Sequence, residues 1–178
     1  MDVGKSVTVR EVPASAELLD QIGRLRVRAW ATEIAQMPDL DCWIDPIDHA
    51  ARHFVIHQSE RLIGAARLTI HEQLDDVPDA AVYRDLFPAG IPGPIGTLSR
   101  LVVDPAARRQ GCGTALDRAR IEAARRAGCR SLLGSSSAER RINQLRQHGF
   151  DIVGRMNPNP HPVFQNRGLQ TVLRLSFD

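Results

Sequence analysis

The stretch that decides the fold is Val102-Val103-Asp104-Pro105-Ala106-Ala107-Arg108-Arg109-Gln110-Gly111-Cys112-Gly113-Thr114-Ala115-Leu116. An apolar strand runs into a short turn with the pattern Arg-x-x-Gly-x-Gly, and a helix is predicted to begin there. The first N–H groups of a helix have no partner inside it, and the helix dipole places partial positive charge at that end. Glycines let the backbone approach a ligand closely. The stretch therefore predicts a phosphate-binding turn.

Two better-known phosphate motifs do not match this turn. The Gly-x-Gly-x-x-Gly pattern of dinucleotide-binding folds is not met, and no Gly-Lys-Ser/Thr follows as it does in the P-loop. A glycine-rich helix start that binds no ligand remains the alternative at this point.

The composition fits one globular domain spanning residues 1–178. The hydrophobic share is 43%, and the net charge of +2 does not require a nucleic-acid partner. Cys42, Cys112 and Cys129 have no metal-ligand spacing, and their odd number argues against a disulfide scaffold. We expect reduced thiols, a cytoplasmic location, no metal and no membrane association, because neither a signal peptide nor a spanning apolar run is found.

Hydrophobic periodicity predicts a mixed sheet flanked by helices, in the α/β or α+β class. Predicted helices cover residues 16–30, 111–127 and 138–148, with a short helix inside 37–50 and a helical turn near 80–87 in a Pro-rich excursion. Predicted strands cover residues 7–12, 52–58, 62–70, 96–103, 131–134, 150–155 and 169–177.

The segment from Leu101 to Leu116, with the later Gly149-Phe150 pair, resembles the acyl-CoA site of the GNAT superfamily of N-acyltransferases. The resemblance covers roughly residues 5–178. It implies a mostly antiparallel mixed sheet whose strands splay at the acyl-CoA site. It also implies acetyl-CoA as co-substrate, with Leu101 and Val103 offering backbone groups to pantetheine and to the thioester carbonyl. The implied cofactor-binding residues are Leu101, Val102, Val103, Arg108, Arg109, Gln110, Gly111, Cys112, Gly113 and Thr114.

One residue departs from the family pattern. Many relatives carry a tyrosine, four residues before the Gly of Gly-Phe, that protonates the leaving thiolate, and here that residue is Leu145. The only tyrosine is Tyr83, inside the Pro-rich excursion. Thiol pKa values lie close enough to neutrality for a thiolate to leave without full protonation. Ser137, Cys112 or water are the remaining candidates for the proton donor, and a covalent acyl-cysteine at Cys112 is an alternative to direct transfer.

A narrower resemblance is to the branch with ElaA-type acetyltransferases and acyl-homoserine-lactone synthases. The segments that carry it are Leu25-Arg26-x-Arg28-x-Trp30-x-x-Glu33, Asp45 and Asp48, His53, Ala66-Arg67-Leu68, Leu86-Phe87-Pro88, and Leu98-Ser99-Arg100-Leu101. Lactone synthases have Glu two residues before that Ser, where this chain has Thr97, and they generally lack the intact Arg-x-x-Gly-x-Gly turn. The intact turn favours a CoA thioester over an acyl-carrier protein.

An acidic acceptor side agrees with acylation of an amine, because a carboxylate binds the ammonium ion and a base removes its proton. We predict Glu33, Ser99 and Ser137 as catalytic candidates, and His49, His53 and His71 as further candidate bases. Arg67, Arg100, Asp45 and Asp48 are predicted substrate-binding residues. The alternative for the arginines, which are costly to bury unpaired, is a structural network with Glu33 or Asp48.

The sequence therefore predicts a bacterial, cytoplasmic N-acetyltransferase, monomeric or homodimeric, that transfers an acyl group from acetyl-CoA to a primary amine. The alternatives are synthesis of an acyl-homoserine lactone or an N-acyl amino acid from longer acyl chains, and a CoA-binding module without catalysis.

Overall fold

The computed structural model describes residues 7–34, 37–161, 163 and 168–177. The chain divides into two compact units, Met1–Arg67 with Arg100–Arg120, and Leu68–Ser99 with Ile121–Asp178. The prediction of a single domain over 1–178 stays a prediction.

In the described part of the chain, seven strands form one sheet in the order β1-β2-β3-β4-β5-β7-β6. β1 is antiparallel to β2, β4 is parallel to β5, and β7 is antiparallel to both β5 and β6. The bounds are β1 Arg10–Val12, β2 Arg52–Gln58, β3 Arg61–His71, β4 Ile95–Val103, β5 Ser131–Ser136, β6 Asp151–Met156 and β7 Gln170–Ser176. The helices are α1 Ala16–Trp30, α2 Ala80–Leu86, α3 Cys112–Arg126 and α4 Glu139–Gln147. The predicted mixed sheet flanked by helices is confirmed.

In the first unit, α1 begins and ends where its sequence predicts. The Ser15 side chain accepts a hydrogen bond from the Leu18 N–H at 3.2 Å, which caps the helix, and Glu17 lies favourably in its first turn. Its apolar stripe packs in a core of Leu18, Ile22, Leu25, Ala29, Val55, Leu62, Ala65 and Val102. Fully burying one such leucine contributes about 1.5–3 kcal/mol.

Gly23 in α1 lets the loop before the first 3-10 helix, Pro46–Ala50, pack directly on α1. A Cβ at Gly23 would clash with the Cys42 side chain, and the Trp43 N–H donates to the Gly23 carbonyl at 3.2 Å. This close approach determines where the acidic residues that follow Trp43 lie.

The second unit has its own core of Leu74, Val77, Tyr83, Ile95, Leu133, Met156 and Val172. Here β3 and β4 alternate apolar with polar side chains. The apolar set includes Leu68 and Leu98, which are both buried. A Cβ at Gly96 would meet the Leu132 and Leu68 side chains. The alternate residues are Thr69, His71 and Thr97, so the apolar and polar side chains occupy opposite faces of the sheet.

Differences from the predicted elements are confined to their ends. β1 begins at Arg10, later than the predicted residue 7, and β5 extends to Ser136, two residues beyond the predicted strand. The last part of β5 is only half-buried, so the apolar run that marked the strand ends before its hydrogen bonds do. Among the described residues, no helix is both long and apolar enough to cross a membrane.

Candidate functional site

The turn predicted to bind phosphate lies between β4 and α3. The Asp104 carboxylate accepts from the Ala106 N–H at 3.1 Å and caps a short 3-10 helix, Pro105–Ala107. The Asp104 N–H in turn donates to the Ile63 carbonyl at 2.8 Å, which holds the start of the turn against β3. The chain then reverses through Arg109 and Gly111, whose φ angles are +65° and +80°.

The turn leaves open space where a ligand would approach. A Cβ built on Gly111 has no heavy atom within 4 Å, and its positive φ favours glycine. The helical bond into this turn runs from the Ala115 N–H to the Gly111 carbonyl at 3.0 Å. The N–H groups of Cys112 and Gly113 come before it, in the first turn of α3, where backbone N–H groups have no acceptor within the helix. This geometry fits an anion such as a pyrophosphate.

The Arg108 side chain contacts the C-terminal end of α1. Its guanidinium donates to the Ala29 carbonyl at 2.8 Å and forms an ion pair with Glu33 Oε1 at 3.0 Å. Ala29 lies in the last turn of α1, where carbonyls lack helical partners and cations are favoured. Arg108 therefore connects the turn to the end of α1. Its ion-pair partner, Glu33, is exposed to solvent.

The strand before the turn carries a local distortion at Arg100, whose φ is +52°. A non-glycine residue in the left-handed region is strained, and such strain clusters at functional sites. Beyond it, Leu101 and Val103 are half-buried while Val102 is packed in the core, 2% exposed. The backbone of β4 thus changes direction at Arg100, directly before the residues predicted to contact pantetheine.

Five charged side chains of this unit form a buried ionic cluster: Arg26, Asp45, Asp48, Arg67 and Arg100. Arg26 holds Asp48 through two hydrogen bonds of 2.6 and 2.8 Å. Arg67 Nη1 lies 2.9 Å from both Asp48 Oδ1 and Asp45 Oδ2. Arg100 Nε donates to Asp45 Oδ2 at 2.7 Å. The predicted pairing of both arginines with a carboxylate is therefore present, with Asp45 in the place expected for Glu33.

The carboxylates of the cluster are ionised at neutral pH. Burial acts to raise the Asp48 pKa, but Arg26 and Arg67 outweigh it and lower that pKa to about 2. Burial acts in the same direction on the Asp45 pKa, but Arg100 and Arg67 outweigh it and lower that pKa as well. Burial lowers the Arg100 pKa to about 10, against the opposing effect of Asp45, and the guanidinium stays charged.

Neighbouring groups hold the cluster in place. Trp43 donates from Nε1 to Asp45 Oδ1 at 3.0 Å, and the Arg100 guanidinium lies 5.3 Å from the centroid of the Trp43 ring. The Asp45 N–H donates to Asp48 Oδ2 at 2.7 Å, and His53 Nε2 lies 2.8 Å from the Asp48 carbonyl oxygen. Burial lowers the His53 pKa, so this ring is neutral at neutral pH.

The side chains of the buried ionic cluster differ in how far they are exposed to solvent. Asp48 is fully buried and the Asp45 side chain is 8% exposed, whereas the Arg100 side chain is 12% exposed. A substrate amine would therefore have to displace an arginine to reach Asp48. The predicted roles of Asp45, Asp48, Arg67 and Arg100 in binding substrate stay predictions.

Cys112, the predicted alternative nucleophile, is a poor one in this structure. It is 3% exposed, its Sγ lies 3.8 Å from the Ala107 carbonyl, and burial raises the pKa of its thiol. The expected acidification of a thiol at a helix N-terminus is thus outweighed by burial.

The two predicted catalytic serines, Ser99 and Ser137, lie in the second unit. Ser99 is half-buried on β4, and Ser137 is exposed between β5 and α4, in a groove of about 470 Å³ with Asn143 and Arg155 among its lining residues. Leu145, in the place of the usual tyrosine, is 1% exposed in the core. Tyr83 is also buried, in the apolar core of this unit. The catalytic roles of Ser99, Ser137 and Glu33 stay predictions.

Sequence reasoning missed several polar groups of these units. Arg26 was part of the Leu25–Glu33 segment that resembles the acyl-homoserine-lactone synthase branch, but the sequence did not indicate which residue it pairs with. The structure shows that it binds Asp48. The fully buried pair of Asp117 and Arg120 on α3, 2.6 Å apart, was also missed, although its i, i+3 spacing was a readable signal. Within the described ranges, no group of three His, Cys, Asp or Glu residues has metal-binding geometry.

Comparisons with known proteins agree with this geometry. Residues 19–150 match the model of the acetyltransferase (GNAT) family. No curated protein matches the sequence. Three similar solved structures share the fold at low identity. A mosquito arylalkylamine N-acetyltransferase-like protein has a TM-score of 0.71 at 13% identity, covering 97% of this chain and 100% of that one. FeeM, an N-acyl amino acid synthase from uncultured soil microbes, scores 0.68 at 15%, covering 96% and 91%. The acyl-homoserine-lactone (AHL) synthase LasI scores 0.67 at 16%, covering 98% and 92%.

Proposed function

The chain belongs to the acetyltransferase (GNAT) family, and from this premise we propose that it transfers an acetyl group from acetyl-CoA to a primary amine of a small molecule or peptide. The turn around Gly111 carries the proposal. It combines an open space and a positive φ at Gly111 with the N–H groups of Cys112 and Gly113 at the N-terminus of α3, where the helix dipole favours an anion. These groups would hold the CoA pyrophosphate, with Arg108 holding the turn itself.

The transfer is a direct attack in a ternary complex. The amine nitrogen bonds to the thioester carbon while the carbonyl electron pair moves to oxygen. A backbone N–H of Leu101 or Val103 aimed at that oxygen stabilises the oxyanion as it forms. The nitrogen loses a proton to water, the carbon–sulfur bond breaks, and CoA leaves as the thiolate, which takes a proton from solvent. No tyrosine takes part in this scheme, in keeping with the buried Leu145.

Calorimetric titration with CoA tests the donor half. We expect Gly111→Val to abolish binding, because its side chain would fill the space above the turn. Gly90→Val is the matched control, since Gly90 also has a positive φ, of +71°, and open space around it. Both variants carry a similar backbone strain, of about 1–2 kcal/mol. Equal CoA affinity in the two variants would contradict the assignment of the turn.

A second candidate is acylation of an amino-acid-like acceptor, the kind of activity that the descriptions of FeeM and LasI give for those two proteins. Arg100 favours it. Its guanidinium is the most exposed of the three in the buried ionic cluster, and it directly precedes Leu101. A guanidinium beside the thioester is suited to a carboxylate on the acceptor.

A panel of amines separates the two candidates. Release of CoA from acetyl-CoA is followed with 2-phenylethylamine, L-phenylalanine, L-homoserine and a glycine-initiated peptide, and again with octanoyl-CoA in place of acetyl-CoA. Turnover of 2-phenylethylamine above its amino acid counterpart supports the first candidate. Preference for the two amino acids, lost in Arg100→Gln, supports the second. CoA binding without turnover of any amine would contradict both and favour a binding module.

A further inference from the structure

A residue in the left-handed conformation lies within β4, in the first unit. In the described part of the chain, the non-glycine residues with positive φ are Ser59, Asp79, Arg100 and Arg109. Three of them lie in turns, whereas Arg100 lies inside a strand, where φ is ordinarily about −120° to −140°. A strained conformation of this kind persists only when the surrounding structure determines it. The contacts of the Arg100 side chain are therefore what can hold β4 in this form.

The Arg100 side chain is held on two sides. Its Nε donates to Asp45 Oδ2 at 2.7 Å, and its guanidinium lies 5.3 Å from the centroid of the Trp43 ring, within the range of a cation–π interaction. Because the side chain is nearly buried, solvent screens its ion pair with Asp45 only weakly. A charge-assisted hydrogen bond of this length is among the stronger polar contacts in proteins. The Arg100 side chain thus has a fixed end that its backbone must follow.

Asp45 is itself fixed by groups that do not belong to β4. Its Oδ1 accepts from Trp43 Nε1 at 3.0 Å, and its Oδ2 also accepts from Arg67 Nη1 at 2.9 Å. Its backbone N–H donates to Asp48 Oδ2 at 2.7 Å, and the loop that carries it is held to α1 by the Trp43–Gly23 hydrogen bond. Asp45 is therefore an anchor whose position is set by α1 and by the rest of the buried ionic cluster.

The other end of the same strand segment is fixed as well. The Asp104 N–H donates to the Ile63 carbonyl at 2.8 Å, and the Asp104 carboxylate pairs with Arg61 at 2.7 Å. Both partners belong to β3, in the same unit. The three residues 101–103 therefore lie between two fixed points. The direction of their backbone N–H groups depends on the conformation of Arg100.

From this arrangement we propose that Asp45 is a positioning residue for acyl transfer. It holds Arg100 in the left-handed conformation, and Arg100 in turn directs the backbone N–H of Leu101 or Val103 at the thioester oxygen. The proposal rests on the proposed function, because the oxyanion that these N–H groups stabilise forms only during the transfer. Asp45 contacts neither the donor nor the acceptor in this role. The buried ionic cluster thus acts on the rate of transfer, through the backbone, rather than on substrate binding.

Two substitutions of Arg100 separate this role from any other role of its side chain. Arg100→Gly and Arg100→Ala both remove the guanidinium, but glycine adopts a positive φ about as readily as a negative one, whereas alanine does so only at a cost. We expect kcat with the fastest amine of the panel above to fall about 2-fold in Arg100→Gly and about 10-fold further in Arg100→Ala. The CoA affinity of both, measured by calorimetry, should match the wild type, because the turn at Gly111 is unchanged.

Ser59 gives the matched control pair. Its φ is +56°, against +52° for Arg100, and it is exposed in the turn between β2 and β3. The unfolding free energy of Ser59→Ala should lie below that of Ser59→Gly, because alanine bears a backbone strain that glycine does not. Both Ser59 variants should retain the wild-type kcat, because Ser59 lies outside the residues proposed to hold the donor.

Asp45→Asn tests the anchor itself. The amide keeps the shape of the carboxylate but removes its charge, so its hold on Arg100 weakens. In the wild-type background, kcat should fall towards the level of Arg100→Ala. In the Arg100→Gly background, Asp45→Asn should cause no further fall, because no side chain is left for it to hold.

The infrared band of the thioester carbonyl gives a readout that a loss of stability would not move. Acetyl-CoA labelled with carbon-13 at the carbonyl is bound to each Arg100 variant, because a hydrogen bond from a backbone N–H lowers the stretching frequency of that carbonyl. The lowered frequency should be seen in the wild type and in Arg100→Gly, and the frequency should be higher in Arg100→Ala.

The outcomes distinguish the positioning role from the proposed function. Equal kcat and equal carbonyl frequency in Arg100→Gly and Arg100→Ala would overturn the positioning role and leave the proposed function standing. A further loss of kcat from Asp45→Asn in the Arg100→Gly background would do the same, since Asp45 would then act by another route. No turnover of any panel amine by the wild type would overturn the proposed function and the positioning role with it.

Discussion

Replacing Asp48 with asparagine should cost a large share of the stability of this protein. The carboxylate is fully buried and accepts four hydrogen bonds, two from Arg26, one from Arg67 and one from the Asp45 N–H, at 2.6–2.9 Å. The amide side chain would keep the shape but leave three buried guanidinium groups of the cluster with one carboxylate. Breaking a buried ion pair in this way costs about 3–5 kcal/mol, against a total of about 5–15 kcal/mol for a typical domain.

Urea denaturation followed by circular dichroism measures the effect of Asp48→Asn. With a slope of about 2 kcal/mol per molar urea, the midpoint should fall by about 1.5–2.5 M. Asp20→Asn is the matched control, because Asp20 also pairs with an arginine, Arg24, at 2.8 Å, but both side chains are half-exposed. An exposed pair of this kind is screened by solvent and contributes far less than a buried pair. Equal losses in the two variants would refute the claim that burial makes the Asp48 pairing strong.

Three further outcomes follow from the same structure. The Asp48 pKa is lowered to about 2 in the folded state, from about 4 in the unfolded state, so its stabilisation is present above pH 4 and is lost as pH falls through 2. Because the Asp45 pKa is lowered as well, an acid titration of the unfolding free energy should show a decrease of at least about 2 kcal/mol, and a flat profile would contradict it. Leu145→Tyr should not restore a general acid but should overpack a core site, with a loss of about 1–3 kcal/mol in urea unfolding and no rise in kcat. The Cys112 thiol should react with a thiol reagent far more slowly in the native protein than in urea, and fast native labelling would show that the turn opens.

The helices and strands were predictable wherever one physical signal dominated. α1 has a capping serine, a first-turn glutamate and a regular apolar stripe, and both of its ends were predicted correctly. The end of β5 was missed because its last two residues are serines, and the hydrogen bonds to Val172 and Thr171 of β7 that extend the strand come from a distant part of the chain. The local sequence around Ser135 and Ser136 does not indicate that β7 will pair with them.

The candidate site was predictable in its backbone and less so in its side chains. The glycine pattern indicated the turn at Gly111, since glycine there reflects a backbone requirement that is local. The partner of Arg26 was not predictable, because it depends on the loop that Gly23 allows to pack against α1. Outside this site, a contact between the Thr69 and Thr97 hydroxyls was missed for a similar reason: it depends on the register of two strands separated by a long excursion.

The irregular register of β6 makes this edge of the sheet a poor template for the addition of another strand. β6 is the last strand in the sheet order, and its pairing with β7 shifts between Ile152 and Gly154. An edge strand has unpaired backbone groups that a strand of another chain can pair with. The half-exposed Ile152 would add apolar contact area to such a pairing. The shift disturbs the regular spacing of backbone groups that an incoming strand would need, and Asp151 and Arg155 place opposite charges on either side of it. A substitution that straightened β6 would therefore create a risk of aggregation without changing any residue of the turn at Gly111.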